Sequence, residues 1–397
     1  MANTQAMTVA QQNAAITIAA RRAIKAYAVK MTLNLGRSTI VPANNPTLNI
    51  QPRNVGLLLG FWLKVVHTVS NGSAVQIDLT DFGPENALAQ IQFVDLNNTT
   101  RHQSAGWHFG FVNSVRARRP FGAAVIHGTG YDKPANYGSN WTVDSAPANI
   151  AASGTGTVTK WYWVPIAYSD EDLRGCVYAN VTGATMSLLL TMPSQTQICV
   201  ANGSDATLSM FVGHAAGATT AVSITSTTVT CYQVIYDQLP TAGGRVILPI
   251  NDLATIYELK YTNVNGMVAN QDFGYQYANL RDIYSTTAIY VNNGSTGARG
   301  VGADINYFAL QAANATNIWK KEPALIALET RNFLTCDPPP GMYYFGSRQR
   351  PISTSQYGNM QLLLNAITAA SSPYMLVGIE DFAVISALSN AGSLPSA

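Results

Sequence analysis

The chain has 397 residues, 47% apolar and only 11% charged, with 23 Lys+Arg against 21 Asp+Glu. Globular proteins carry roughly 25% charged residues, so polarity here rests on neutral amides and hydroxyls. Disorder is excluded, because disordered chains are poor in apolar residues and rich in charge. A membrane-spanning helix is excluded too: the long uncharged runs, 175–204 and 206–236, are broken by Thr, Ser, Gln and Asn.

At roughly 150 residues per domain the length predicts two or three domains. Cys176, Cys199, Cys231 and Cys336 show no CxxC spacing, which argues against a disulfide scaffold or zinc site and for a reducing compartment. The first basic residues stand at 21–22 with no apolar stretch behind them, so no signal peptide is expected.

Charge is unevenly placed. Before Asp78 there is no acidic residue, but seven basic ones: Arg21, Arg22, Lys25, Lys30, Arg37, Arg53 and Lys64. The Ala-rich stretch 10–31 predicts a helix, with Ile16, Ala20, Ile24, Tyr27 and Met31 inside an arc of roughly 60°. Arg21, Arg22 and Lys25 fall on another arc and Lys30 between the two. Such a basic amphipathic helix suits a surface helix packed on the body, or contact with an anionic membrane or nucleic acid. At about 1 kcal/mol per basic residue near an anionic membrane, one copy binds weakly and an array binds well. Pro42, Pro46 and Pro52 mark the following stretch as loop.

From residue 54 onward the pattern is β. VGLLLGFWLKVVHTV at 55–69 ends at Asn71-Gly72, a turn signal. PENALAQI at 84–91 reads as a short helix opening on Pro84. Arg116, Arg118 and Arg119 precede Pro120 as a solvated loop or a site for a partner's acidic patch. GTVTKWYWVPIAY at 156–168 alternates, which puts Trp161 and Trp163 on one face, in the core or at an interface; with Trp141 they offer a sugar-stacking platform as the sharper alternative. Ser169-Asp-Glu-Asp172 has capping-box spacing, and its acids read as helix N-terminal charge. A Thr- and Val-rich strand covers 219–236, and QLPTAGGR at 238–245 is the most loop-like junction. NDLATIYELK at 251–260 and PALIALETRNFL at 323–334 read as helices, Gly294 to Gly302 as a flexible loop, and 341–346, 361–365 and 374–386 as further strands. Many strands with turn-rich connections indicate sandwiches or jelly rolls.

Enzyme chemistry finds no footing. His67, His102, His108, His127 and His214 have no metal-ligand spacing, and no phosphate-binding glycine loop or nucleophile elbow is present. Neighbouring acids at 170–172 do not face each other across a sugar as a glycosidase requires.

Several segments resemble the major capsid proteins of tectiviruses, bacteriophages with a membrane inside an icosahedral shell. They are LTDFGPEN at 79–86, GWHFGFVN at 106–113, YWVPIAYSDEDL at 162–173, YDQLP at 236–240, ILPINDLATIYEL at 247–259, DFGYQYANL at 272–280, ADINYF at 303–308 and PISTSQYGN at 351–359. The resemblance implies an all-β fold of two consecutive eight-stranded jelly rolls, with short helices in loops and an N-terminal amphipathic helix. It also implies a homotrimer of roughly hexagonal outline, located in the virion after assembly in the host cytoplasm.

The expected domains are a basic helical arm over 1–53, a first jelly roll over 54–240, a second over 241–388 and a tail over 389–397. Expected partners are further copies of the chain, other virion proteins at the vertices, and internal membrane lipids. By position and character, the resemblance places Arg21, Arg22, Lys25 and Lys30 on the membrane side. No cofactor, metal, catalytic residue, small-molecule substrate or specific nucleic acid is expected. The rival readings are a carbohydrate-binding lectin or adhesin and a nucleic-acid-coating protein. Interface cores are depleted of charge, so a chain touching neighbours on several sides accounts for the missing charge.

Overall fold

Strand alternation decides the architecture. In Leu57–Asn71 every second residue turns inward, burying Phe61, Leu63, Val65, His67 and Val69. The strand Thr155–Pro165 does the same with Val158, Lys160, Tyr162 and Val164. A strand with one dry face needs a second layer, and the chain supplies it twice. The computed structural model describes residues 8–118, 121–122, 144–201, 208–213, 221–295, 297–312, 316–334, 337–346 and 351–384.

In the first roll, one sheet has the order Val29–Ile40, Val222–Asp237, Leu57–Asn71, Thr155–Pro165. It packs on Thr100–Ser104, Gln90–Val94, Ser187–Thr191 and Thr47–Ile50, and Phe61 meets Phe93 across the layers at 5.5 Å. A small sheet of Cys199–Ala201, Phe211–Gly213, Ile77–Leu79 and Asn149–Ile150 closes one end. In the second roll, Met342–Gly346, Arg281–Asn293, Tyr374–Val384 and Thr255–Asn265 face Asp272–Gln276, Gln361–Ala366, Ile305–Gln311 and Asn317–Lys321. Its core holds Tyr290, Val377 and Ile379 against Phe308, Leu362 and Leu364.

The rolls are fused. Thr255–Asn265 pairs in parallel with Thr100–Ser104 at Leu259–His102 and Lys260–Gln103, so one ten-stranded sheet runs through both. Between them lies a third apolar cluster, in which Phe82, Trp107 and Phe111 meet Ile289, Val291, Leu334 and Tyr344. Helix α1 is Val9–Tyr27, α2 is Gly106–Ala117 and α3 is Pro323–Leu334. The last two fill this seam.

Three sequence expectations change. The first helix stops at Tyr27 rather than 31, because the next residues find a ladder: Val29–Ile40 pairs with Val222–Asp237 over nearly its whole length. Thr47–Ile50 likewise pairs with Ser187–Thr191. Residues 29–50 therefore form an edge strand in each sheet of the first roll, not part of a helical arm. In 84–91, helix is confined to the 3-10 turn Gly83–Asn86, and Gln90–Val94 is strand. In 251–260, helix is confined to Ile250–Leu253 and Thr255–Asn265 is strand. Helix α3 starts on Pro323 as its sequence predicts.

Candidate functional site

Among the described residues, helix α1 is the one long element outside the two rolls. Thr8 and Gln11 form its capping box. Thr17, Ala20 and Ile24 are its buried positions, one helical face, and Ile24 joins Leu57, Leu59, Leu173 and Val234 in an apolar cluster. The polar partners converge around this seat. Arg21 donates from Nε to Asp252 at 2.6 Å and from a terminal nitrogen to Asp172 at 2.8 Å. Lys25 lies 3.4 Å from Glu171, and Lys30, on the following strand, pairs with Asp170.

The acidic run 169–172 is thus the receiver for the basic arm. The Ser169 hydroxyl accepts from the Glu171 and Asp172 backbone N–H groups at 3.2 and 2.9 Å, as a cap would. No helix follows, so the expected helix N-terminus is instead a capped turn. Arg174 folds back onto Asp172 at 2.8 Å and donates to the Tyr284 hydroxyl at 2.7 Å. Burial pushes the Asp172 carboxyl up, but Arg174 and Arg21 pull it down further, and it ends below the usual carboxylate value. At Asp252 burial outweighs Arg21, and the carboxyl ends raised.

Arg21, Lys25 and Lys30 therefore do not present a free basic face; their charges are engaged by the body. Arg22 is exposed and makes no ion pair among the described residues. The first half of α1 carries no charge at all and exposes Val9, Ile16 and Ile18 by 73%, 49% and 51%.

A second ionic site sits in the seam. Arg116, near the end of α2, donates to the Tyr168 carbonyl at 2.9 Å and the Tyr257 hydroxyl at 2.5 Å, and pairs with Glu380 of the second roll. Glu380 also accepts from Ser285 at 2.7 Å and from Tyr257 at 3.1 Å. Burial raises its carboxyl, and Arg116 with these hydrogen bonds more than offsets that, leaving it below the ordinary value. Arg116 is thus no solvated loop residue. Arg118 is the left-handed cap of α2, and Arg119 lies outside the described residues.

His102 joins the rolls through its ring. Its Nδ1 accepts from the Leu259 N–H at 2.9 Å, and its Nε2 meets the Pro165 carbonyl. Burial pushes the imidazole down to about 3, and His67 and His108, also buried, to about 4. His127 and His214 lie outside the described residues. Among the described residues no group of three His, Cys, Asp or Glu could hold a metal ion, and no helix is long and apolar enough to cross a membrane. Cys176, Cys199 and Cys231 are free and buried, and burial raises their thiols, Cys199 to about 11; Cys336 lies outside the described residues.

Trp161 and Trp163 do share a face, but it is the outer one. Trp163 packs on Trp62 at 5.0 Å and Trp161 stacks on Tyr232 at 6.1 Å. Trp62 and Trp163 line an open groove of about 530 Å³ with Asn113, Lys30 and Asp170. Of the core or interface role expected for these tryptophans, the outer-face position removes the core alternative, and Trp141 lies outside the described residues.

The chain matches two family descriptions in succession: P3 major capsid protein N-terminal over residues 1–239 and P3 major capsid protein C-terminal over 254–396. It is 36% identical over 402 residues to major capsid protein P3 of Enterobacteria phage PRD1, covering 99% of both chains. The chain belongs to the P3 major capsid protein family. As a major capsid protein it is a structural component of the virion shell, where it assembles with itself.

Solved structures place this capsid protein among double jelly rolls. The Sulfolobus Turreted Icosahedral Virus structure aligns over 92% of this chain and 94% of its own, with TM-score 0.63 at 11% identity. The crystal structure of the STIV MCP aligns over 92% and 100%, with TM-score 0.62 at 11% identity. At that identity the likeness speaks for the fold alone. The segment between the two family matches, 240–253, holds the hairpin Thr241–Ala242 with Arg245–Val246 and the short helix Ile250–Leu253 that receives α1.

Proposed function

We propose that this capsid protein forms a homotrimer of roughly hexagonal outline that tiles an icosahedral shell around an internal membrane, and that it acts by assembly without catalysing a reaction. The observation that carries the reading is the shared ten-stranded sheet, which makes one chain a rigid pair of rolls. Three such pairs give six similar corners from one gene product, closed by rotational symmetry. Mass measurement in mild buffer tests it: a species of three times 42.4 kDa is expected, and a stable monomer would overturn it.

The membrane role of the arm takes a different form from a basic stripe. Arg21, Lys25 and Lys30 seat α1 on the body, while Val9, Ile16, Ile18 and the exposed Arg22 are free to meet lipid. Apolar side chains with one cation suit the headgroup boundary, and copies in an array add their weak affinities. Ile16→Ser/Ile18→Ser/Arg22→Ala is expected to weaken binding to anionic vesicles while the trimer persists. Vesicle binding unchanged by this variant would remove the lipid contact. Virion proteins at the vertices complete the expected partners.

One observation favours a second reading, carbohydrate binding: the half-exposed Trp62–Trp163 pair beside Asn113 in an open groove. A glycan screen that is positive and lost on Trp163→Ala supports it; a negative screen leaves the groove to subunit contact.

A further inference from the structure

A lysine stands in a row of core side chains in the first roll. The inward positions of Thr155–Pro165 are Val158, Lys160, Tyr162 and Val164. The Lys160 ammonium is 2.6 Å from Oε1 of Glu85 and 2.9 Å from Oδ2 of Asp144. All three residues are sealed, with 1%, 0% and 2% of their surface exposed. Glu85 projects from the turn Gly83–Asn86, and α2 makes room for it at Gly110, where an added Cβ would fall 1.7 Å from Oε2. Asp144 is oriented by the Trp161 N–H, which donates to Oδ1 at 2.7 Å. The Tyr162 ring, 5.8 Å from Nζ, walls the cluster.

We propose that Lys160 and Asp144 condense into an intramolecular isopeptide bond, with Glu85 carrying the protons. An amine held against a carboxyl in a dry, fixed geometry has the proximity that amide formation lacks in water. Burial also favours any reaction that removes charge from the interior. The Lys160 ammonium gives a proton to Glu85, and the freed Nζ attacks Cγ of Asp144. The Nζ–Cγ bond forms and the Cγ–Oδ2 bond breaks. Glu85 relays two ammonium protons to Oδ2, which leaves as water, and Glu85 returns to its starting state. No oxidant or activated co-reactant is required. The geometry suits the product as well as the reactants: Oδ1 remains as the amide oxygen on the Trp161 N–H, and the amide keeps one N–H for Glu85. The bond ties positions 16 residues apart and fastens the strand Thr155–Pro165 to the segment entering at Asp144.

The test is the intact mass of the full-length chain from dissociated particles, denatured, against a Lys160→Arg chain prepared in the same way. The expected mass is lower by one water after allowing for the substituted side chain. Proteolysis is expected to yield a branched peptide joining Asp144 to Lys160. A Glu85→Gln chain that still assembles to the same oligomer is expected at full mass. If the unsubstituted chain has its full sequence mass, with Asp144 and Lys160 recovered in separate peptides, the cross-link is refuted. The branched peptide decides the matter alone if Lys160→Arg does not fold. Retention of the bond in Glu85→Gln would overturn the role of Glu85.

Discussion

Two sets of cation–carboxylate contacts hold this capsid protein together, in opposite surroundings. In the seam, Arg116 meets Glu380 among Tyr168, Tyr257 and Ser285, and the carboxylate is 4% exposed. At the clasp, Lys25 and Lys30 meet Glu171 and Asp170, whose side chains are 86% and 50% exposed. The same chemistry therefore does two jobs. The seam pair sits in an aromatic frame around a buried carboxylate, where a lost partner strands a charge, and it fixes the two rolls as one body. The clasp pairs face water, where salt screens them, so α1 is held by contacts that solution conditions can loosen. Arg21 is intermediate: one of its carboxylates, Asp252, is buried and the other, Asp172, is partly open.

The contrast is most easily broken at the seam. Arg116→Ala leaves Glu380 buried without its cation and is expected to cost about 3–5 kcal/mol, read as a fall in denaturant midpoint for both rolls together. A cost near that of a surface pair would show that the seam is wet.

Acid sharpens the comparison from the other side. His102 is neutral when folded, with its imidazole at about 3 against 6.5. Between those values the unfolded chain takes up a proton that the folded chain refuses, so stability falls as pH drops. About 3 kcal/mol is expected to be lost at this site between pH ~6.5 and pH ~4, at about 1.4 kcal/mol per unit. A His102→Gln chain that still folds should show a shallower pH slope over that window. The Asp172 contact, depressed by Arg174 and Arg21, keeps its contribution above the ordinary carboxylate value and loses it only as pH falls through the lowered one. Mild acid should therefore weaken the seam before this clasp contact.

Smaller effects belong to α1. Arg21→Ala is expected to cost about 1–2 kcal/mol, below the buried-pair range because Asp172 keeps Arg174 as a partner and the raised Asp252 carboxyl can take up a proton. Hydrogen exchange over 9–27 should quicken while the seam amides stay protected. Lys25→Ala/Lys30→Ala should cost less than about 1 kcal/mol, and added salt should erase the difference. A salt-independent loss would place these lysines in packing rather than in a screened clasp.

How much was legible follows from what each residue reports about itself. The long strands announce themselves through alternation, and α3 through Pro323 and its apolar spacing. Strand Val29–Ile40 does not: most of its side chains are exposed, and its ladder partner lies some two hundred residues away in Val222–Asp237, so only tertiary pairing reveals it. Helix α2 was hidden because GWHFGFVN buries nearly every side chain and so has no polar face to set a period. The basic arm and the acidic run 170–172 were both visible, but their pairing was not, since charge complementarity carries no address along the chain. Lys160 did leave a signal: it occupies an inward position between Val158 and Tyr162.

Electron microscopy of the particle is the decisive measurement. A closed icosahedral shell is expected, whose hexagonal tiles each contain three copies of this chain, with six rolls per tile and α1 on the inner surface. A shell in which this chain is absent from the tiles, or in which α1 points outward, would contradict it.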